Sequence, residues 1–118
     1  MNSHPYNRRL ALDRIDAFHS LPKVKKHVSR YASWIESEAG VELSLPLAFV
    51  AQQFIAGSIT RNQYLRSVDK LAIVSPLPPD ATRLHARIGY EFTRAALVGT
   101  GQVCPIKCPD VDPDWGLK

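Results

Sequence analysis

The sequence predicts an all-α fold, a compact bundle of about five helices followed by an irregular, proline-containing C-terminal tail. Apolar residues recur at spacings of three and four in several helix-length segments, which is the periodicity of amphipathic helices. Alternating β-branched runs are nearly absent, and Val103 to Ile106 is interrupted by Pro105. With 118 residues, 45% hydrophobic and 22% charged, the chain suits a single folded domain.

The first two helices are predicted from composition and from a start signal. The segment from about Asn7 to His19 has a helical composition, although its apolar residues form no single narrow stripe. Ser20 and Pro22 then predict a helix start, with the serine as N-cap and the proline in the first turn. Gly40 is expected to end this second helix. Its apolar face comprises Val24, Val28, Tyr31, Ala32, Ile35 and Ala39.

The third helix is expected to begin at a second serine–proline signal, Ser44 and Pro46, and to end at Gly57. It is apolar on nearly all sides, and a helix of that kind is usually buried. We therefore expect it to lie at the centre of the bundle. One side carries Leu47, Val50, Ala51 and Phe54, and the other carries Ala48, Phe49 and Ala56.

Two more helices follow. Thr60 is expected to cap the fourth helix, which ends before the proline-rich connector 75–79. Asp80 begins the last helix, which runs to about Val98 and stops at Gly99. The expected core face of this last helix comprises Ala81, Leu84, Ile88, Phe92 and Ala95.

Residues 1–101 are predicted to form the helical domain and residues 102–118 the irregular tail, either docked through Trp115 or loose. Cys104 and Cys108 lie four apart in this tail. Zinc ribbons favour shorter spacings and need a second ligand pair, and no histidine cluster supplies one. We expect free thiols without a function, with a reversible disulfide or metal ligation as the alternatives.

The composition limits where and how the protein acts. The most apolar run, Leu45 to Ala51, contains Pro46, so no membrane span is predicted. The N-terminus lacks a secretory h-region and two cysteines make no disulfide scaffold, which favours a cytoplasmic location. The net charge is +4. It is concentrated in residues 1–30, where seven cations face only Asp13 and Asp16.

Basic residues follow one edge of the second helix and one edge of the last helix at spacings of three, four and seven. Cations in such an edge neutralise phosphates or carboxylates, and an aromatic ring among them offers a stacking surface. The alternative is an ordinary solvated helix face. The candidate binding residues are Lys23, Lys26, Arg30 and Trp34, with His27 beside them, and Arg83, Arg87, Tyr90 and Arg94.

A helix-turn-helix is a further alternative for the third and fourth helices. Gly57 suits the turn, and the fourth helix presents side chains with the chemistry to contact base edges, namely Arg61, Asn62, Gln63 and Arg66. Against it, Gln53 stands where a small residue usually lets the two helices approach.

Motifs for catalysis are missing: the sequence has no glycine-rich phosphate loop, nucleophile elbow or paired metal-binding histidines. We therefore expect no enzymatic activity and no cofactor. The predicted function is that of a small regulatory or accessory protein that binds nucleic acid through its basic helical edges. The alternative is a protein-binding adaptor or inhibitor that uses the same edges against an acidic protein partner or as a homodimer interface.

Overall fold

A computed structural model of the chain describes the backbone of residues 5–111 and the side chains of residues 7–111. These residues form a compact bundle of five helices without a strand, which confirms the predicted all-α fold. None of the five helices in this range is both long and apolar enough to cross a lipid bilayer. The helices are α1 (Pro5–Ser20), α2 (Pro22–Ile35), α3 (Glu38–Ile55), α4 (Arg61–Val74) and α5 (Pro79–Gly99).

The central element is α5, which contacts each of the other four helices. Its pairing with α1 is antiparallel, because Arg14 meets Glu91 while Phe18 lies against Arg87, nearer the start of α5. The expectation that the third helix would be central is therefore wrong. One side of α3 packs on α5, and the other side leaves Phe49 exposed to solvent.

The predicted end of the second helix at Ala39 and the predicted start of the third at Ser44 are both wrong. Ser37 caps α3, since its hydroxyl oxygen accepts a hydrogen bond from the backbone N–H of Gly40 (3.2 Å). A Cβ atom on Gly40 would lie 2.2 Å from the carbonyl oxygen of Ile35. This glycine thus allows α2 and α3 to meet at a tight corner and does not end α2.

The other start signals have mixed outcomes. Thr60 caps α4 as predicted, in a reciprocal capping box with Gln63. Pro22 begins α2 as predicted, but Ser20 ends α1 and caps nothing. Pro46 lies inside α3, where its missing N–H removes one helical hydrogen bond.

The core consists of two apolar clusters that share α5. Phe54 and Tyr64 stack at the centre of the first, with their ring centroids 4.8 Å apart. The first cluster comprises Leu47, Ala51, Phe54, Ile55, Tyr64, Val68, Ala86, Tyr90 and Val111. The second comprises Phe18, Val24, Tyr31, Leu77, Ala81 and Leu84. Because Val111 belongs to the first cluster, the chain beyond α5 contributes to the core.

The segment after Gly99 is irregular as far as it is described, and it packs on the bundle. Val103 and Cys108 lie against the first apolar cluster, and Val111 is buried in it. Trp115, the residue expected to dock the tail, lies outside the described residues. The boundary between a helical domain and a tail at residue 101 stays a prediction.

Candidate functional site

The basic edge of α2 lies on the surface. Lys23, Lys26 and Arg30 are exposed, and the Trp34 side chain in line with them is 45% exposed. The opposite side of the helix is buried through residues such as Val24. The 14 residues of α2 include no aspartate or glutamate. The structure therefore brings the four predicted residues of this helix together on one accessible edge, which we call the α2 edge.

The cations in the middle of the α2 edge are available for a partner. Lys26 and Arg30 form no ion pair with another residue in the described range 7–111. The guanidinium carbon of Arg30 lies 5.4 Å from the centroid of the Tyr31 ring, which steadies the side chain without neutralising it. His27 is instead buried, and its Nδ1–H donates a hydrogen bond to the carbonyl oxygen of Lys23 (2.7 Å).

The predicted basic edge of the last helix is not a free surface. Arg87 is only 3% exposed, Tyr90 is fully buried and Arg94 is buried as well. Arg83 is the member of this set that reaches solvent. The expectation of an exposed edge is wrong for three of the four residues. The physical reason is that α5 is central and that the irregular segment after Gly99 packs on this side of it. That segment shows no helical periodicity in the sequence.

Arg83 makes ordinary surface contacts. Its Nε lies 3.6 Å from Oδ1 of Asp69 on α4, and its Nη1 lies 3.8 Å from Oδ1 of Asp80 in the first turn of α5. Exposed ion pairs at such distances contribute about 0–1 kcal/mol. Arg83 therefore differs from the buried arginines of its own helix in its contact partners and in its access to solvent.

The tail covers the buried part of the predicted α5 edge. It runs back along the helix after the turn at Gly101 and places carbonyl and carboxylate oxygens against the side chains. All three buried residues contact it: Arg87 Nη1 lies 3.9 Å from Oδ1 of Asp110, the Tyr90 hydroxyl donates to the carbonyl of Pro109, and Arg94 Nη2 donates to the carbonyl of Pro105 (3.3 Å).

A buried carboxylate, Glu91, links α1, α5 and the tail. It is 2% exposed and accepts two hydrogen bonds from Arg14, from Nε at 2.7 Å and from Nη2 at 3.2 Å. Arg14 also pairs with Asp110, and Nη2 of Arg87 lies 3.7 Å from Glu91. Burial alone lowers the pKa of Arg14, but hydrogen bonds to Glu91 and Asp110 outweigh it and raise that pKa. The guanidinium therefore stays charged.

A cavity of about 200 Å³ opens beside these charges, between α1, the tail and α5. Its apolar wall includes Phe18 and Val111. Nε and Nη1 of Arg87, which lines the cavity, are buried without a hydrogen-bond partner among the described residues, and so is Nε of Arg94 further along α5. Among the described residues, the cluster of Arg14, Arg87, Glu91 and Asp110 holds two guanidinium groups against two carboxylates.

A second surface feature is an apolar groove of about 510 Å³ between α3 and α5, which we call the α3–α5 groove. Leu45 is 80% exposed and Phe49 is 61% exposed, and Phe92 on α5 is also exposed. Sequence reasoning placed Phe49 and Phe92 in the core and missed this surface. The groove is lined by Leu45, Ala48, Phe49, Gln52, Phe92, Thr93, Ala96 and Leu97.

The two thiols are both free, with Cys104 exposed and Cys108 half-buried. Burial raises the pKa of the Cys108 thiol and outweighs the nearby Arg94, so this group is kept protonated. Within the described part of the chain, no group of three or more histidine, cysteine, aspartate or glutamate side chains is placed to hold a metal ion.

No family model, curated protein or solved structure matches this chain. Function is therefore inferred from the α2 edge, the charged cluster and the α3–α5 groove. The signal for the groove was present in the sequence, since a helix that is apolar on all sides needs more than one apolar partner. In the helix-turn-helix alternative, Gln63 was one of the side chains expected to contact base edges. Its side chain is instead used in the cap of α4.

Proposed function

We propose that this protein binds nucleic acid without catalysis, through the α2 edge. The observation that carries the proposal is that Lys26 and Arg30 are exposed and form no ion pair with any described residue, on a helix that has no acidic residue. Lys23 and Trp34 extend the same edge in both directions. Cations in such a row neutralise phosphates and release condensed counterions.

The dimensions of the α2 edge suit a phosphate backbone. At 1.5 Å per residue, Lys23 and Trp34 lie about 16 Å apart along the helix axis. That length corresponds to roughly five phosphates of one strand in duplex DNA. The exposed Trp34 ring provides a face on which an unpaired base stacks, so single strands are the preferred substrate.

The double substitution Lys26→Gln/Arg30→Gln is expected to weaken binding to a fluorescein-labelled oligothymidylate by about tenfold. Two phosphate contacts are lost, so the slope of log affinity against log salt is expected to shrink by up to about 1.4. Trp34→Ala is expected to weaken binding of the single strand more than that of a duplex, through lost stacking. Fluorescence anisotropy at several salt concentrations measures these quantities.

The matched control is Lys25→Gln/Lys70→Gln, which removes the same net charge from exposed positions outside the α2 edge. This control is expected to keep most of the wild-type affinity. Equal losses in both double variants would contradict the proposal, because net charge and not the edge would then determine binding. Absence of oligonucleotide binding at low salt would also contradict it and would favour an acidic protein as the partner of the edge.

A second candidate function is self-association, which the α3–α5 groove favours. Exposed apolar side chains that form a contiguous patch commonly mark protein interfaces. Because Phe49 and Phe92 stand on either side of the groove, two copies related by a twofold axis would each place apolar rings against the other. We therefore take a second copy of this chain as the partner.

The substitution Phe49→Lys is expected to convert a dimer into a monomer without loss of helix content. Lysine places a charge in the apolar contact, while the exposed position tolerates it in the folded monomer. Sedimentation equilibrium gives the mass, and circular dichroism gives the helix content. The control is Ile73→Lys at an exposed apolar position on α4. A wild-type protein that is monomeric at all concentrations would exclude this candidate.

A further inference from the structure

Each of the three buried residues of the α5 edge is contacted by the chain's own tail. Arg87 faces the carboxylate of Asp110 at 3.9 Å, and Tyr90 and Arg94 donate to backbone carbonyls of the tail. The tail thus offers oxygen atoms to the same groups that the sequence predicts to bind phosphate oxygens. The tail therefore occupies the place that a ligand of these three side chains would take.

The contacts made by the tail leave the arginines incompletely paired. Nε and Nη1 of Arg87 and Nε of Arg94 have no hydrogen-bond acceptor. The carbon of the Arg87 guanidinium lies 5.2 Å from the centroid of the Phe18 ring and 5.6 Å from that of the Tyr90 ring. These two aromatic contacts restrict the position of the guanidinium. A fixed guanidinium with unused donors suits a ligand that carries more oxygen atoms than one carboxylate does.

The charge of the tail supports the same interpretation. Residues 102–118 contain Asp110, Asp112 and Asp114 against two lysines, whereas the rest of the chain is basic. Removing Asp110 from the cluster would leave the guanidinium groups of Arg14 and Arg87 facing Glu91 alone among the described residues. The tail therefore neutralises a site that has an excess of positive charge without it.

We propose that the tail segment 103–111 closes a second nucleic-acid site, formed by Arg87 and Arg94 around Tyr90, and that its release opens this site to the phosphate backbone. The proposal rests on the proposed function, since it adds a second, gated contact to the α2 edge. A tail attached directly after α5 acts at a high effective concentration. Nucleic acid consequently binds this site with an affinity reduced by the fraction of molecules in which the tail is released.

Two substitutions in the full-length chain release the tail without touching α5. Val111→Ser removes its buried apolar anchor and leaves the net charge unchanged, while Asp110→Asn removes its ion pairs with Arg14 and Arg87. Asp13→Asn is the matched control for charge, because Asp13 is exposed and forms no ion pair within the described residues.

The first readout is modification of Arg87 and Arg94 by phenylglyoxal, followed by mass spectrometry, and the second is anisotropy of labelled oligothymidylate. Both tail variants are expected to increase the modification of these two arginines. Both are expected to bind roughly tenfold more tightly than wild type, with a salt slope steeper by up to about 1.4 for two additional phosphate contacts. The Asp13→Asn variant is expected to match wild type in both measurements.

Each other outcome overturns the proposal. Unchanged modification in both tail variants would mean that the tail is not what covers the arginines, and increased modification without tighter binding would mean that the uncovered site has no affinity for phosphates. An equal gain in Asp13→Asn would assign the effect to net charge. The proposed function fails separately, if the Lys26→Gln/Arg30→Gln variant keeps the full affinity of the wild type in the same titration. In that case, tighter binding by the Val111→Ser variant would still support the gated site.

Discussion

The substitution Glu91→Ala is expected to lower the free energy of unfolding by about 3–5 kcal/mol, because it leaves buried positive charge without its partner. Glu91 is 2% exposed and receives two hydrogen bonds from Arg14, while Arg87 lies 3.7 Å from it. Urea denaturation at neutral pH measures the loss, and we expect the melting temperature to fall by more than about 10 °C.

Two controls separate the unpaired charge from the lost side chain. Glu42→Ala, at an exposed position of α3, is expected to change stability by less than about 0.5 kcal/mol. Glu91→Met combined with Arg87→Met is expected to be more stable than Glu91→Met alone, since a carboxylate and one of its guanidinium partners are then removed together. A loss below about 1 kcal/mol for Glu91→Ala would show that water or the tail replaces the carboxylate at little cost.

Phe54→Ala is expected to lower the free energy of unfolding by about 3–5 kcal/mol, because it leaves a cavity in the apolar core. The Phe54 ring is buried, stacks on Tyr64 with centroids 4.8 Å apart, and lies 6.1 Å from the ring of Tyr90. Truncation therefore removes contacts with both α4 and α5. Chemical denaturation with an unchanged m-value would show that the effect lies in the folded state.

The matched control for this substitution is Phe49→Ala, which changes the same residue type on the same helix. Because Phe49 is 61% exposed, its truncation is expected to change the free energy of unfolding by less than about 0.5 kcal/mol. Similar losses at both positions would contradict the placement of the core side of α3.

The helical architecture was predictable because local signals determine it. The apolar stripe of α2, the capping threonine of α4 and the start of α5 after the prolines all appear in the structure close to where periodicity and capping place them. The corner between α2 and α3 was not predictable, since the tight approach at Gly40 depends on the position of the Ile35 carbonyl. A glycine at this place also fits a helix end, and the sequence does not distinguish the two.

The candidate site was predictable on α2 and only partly on α5. Lys26 and Arg30 lie where helical spacing puts them, beside a buried apolar stripe. Arg87 and Arg94 have the same spacing, yet they are buried, because a segment without periodicity folds back over them. Sequence patterns describe one helix at a time, whereas Arg87 is in contact with distant parts of the chain, with Phe18 on α1 and with Asp110, which is 23 positions away.

The central position of α5 also determines when the bundle is able to form. Arg14 meets Glu91 across 77 positions of sequence, and among the other helices α1 contacts only α2. At a ribosomal rate of about 5–20 residues per second, roughly 4–15 s separate the synthesis of these two residues. During that interval the apolar side chains of α1 lack their partners on α5. Closing such distant contacts is slow relative to local helix formation, so assembly on α5 is the step expected to limit the folding rate.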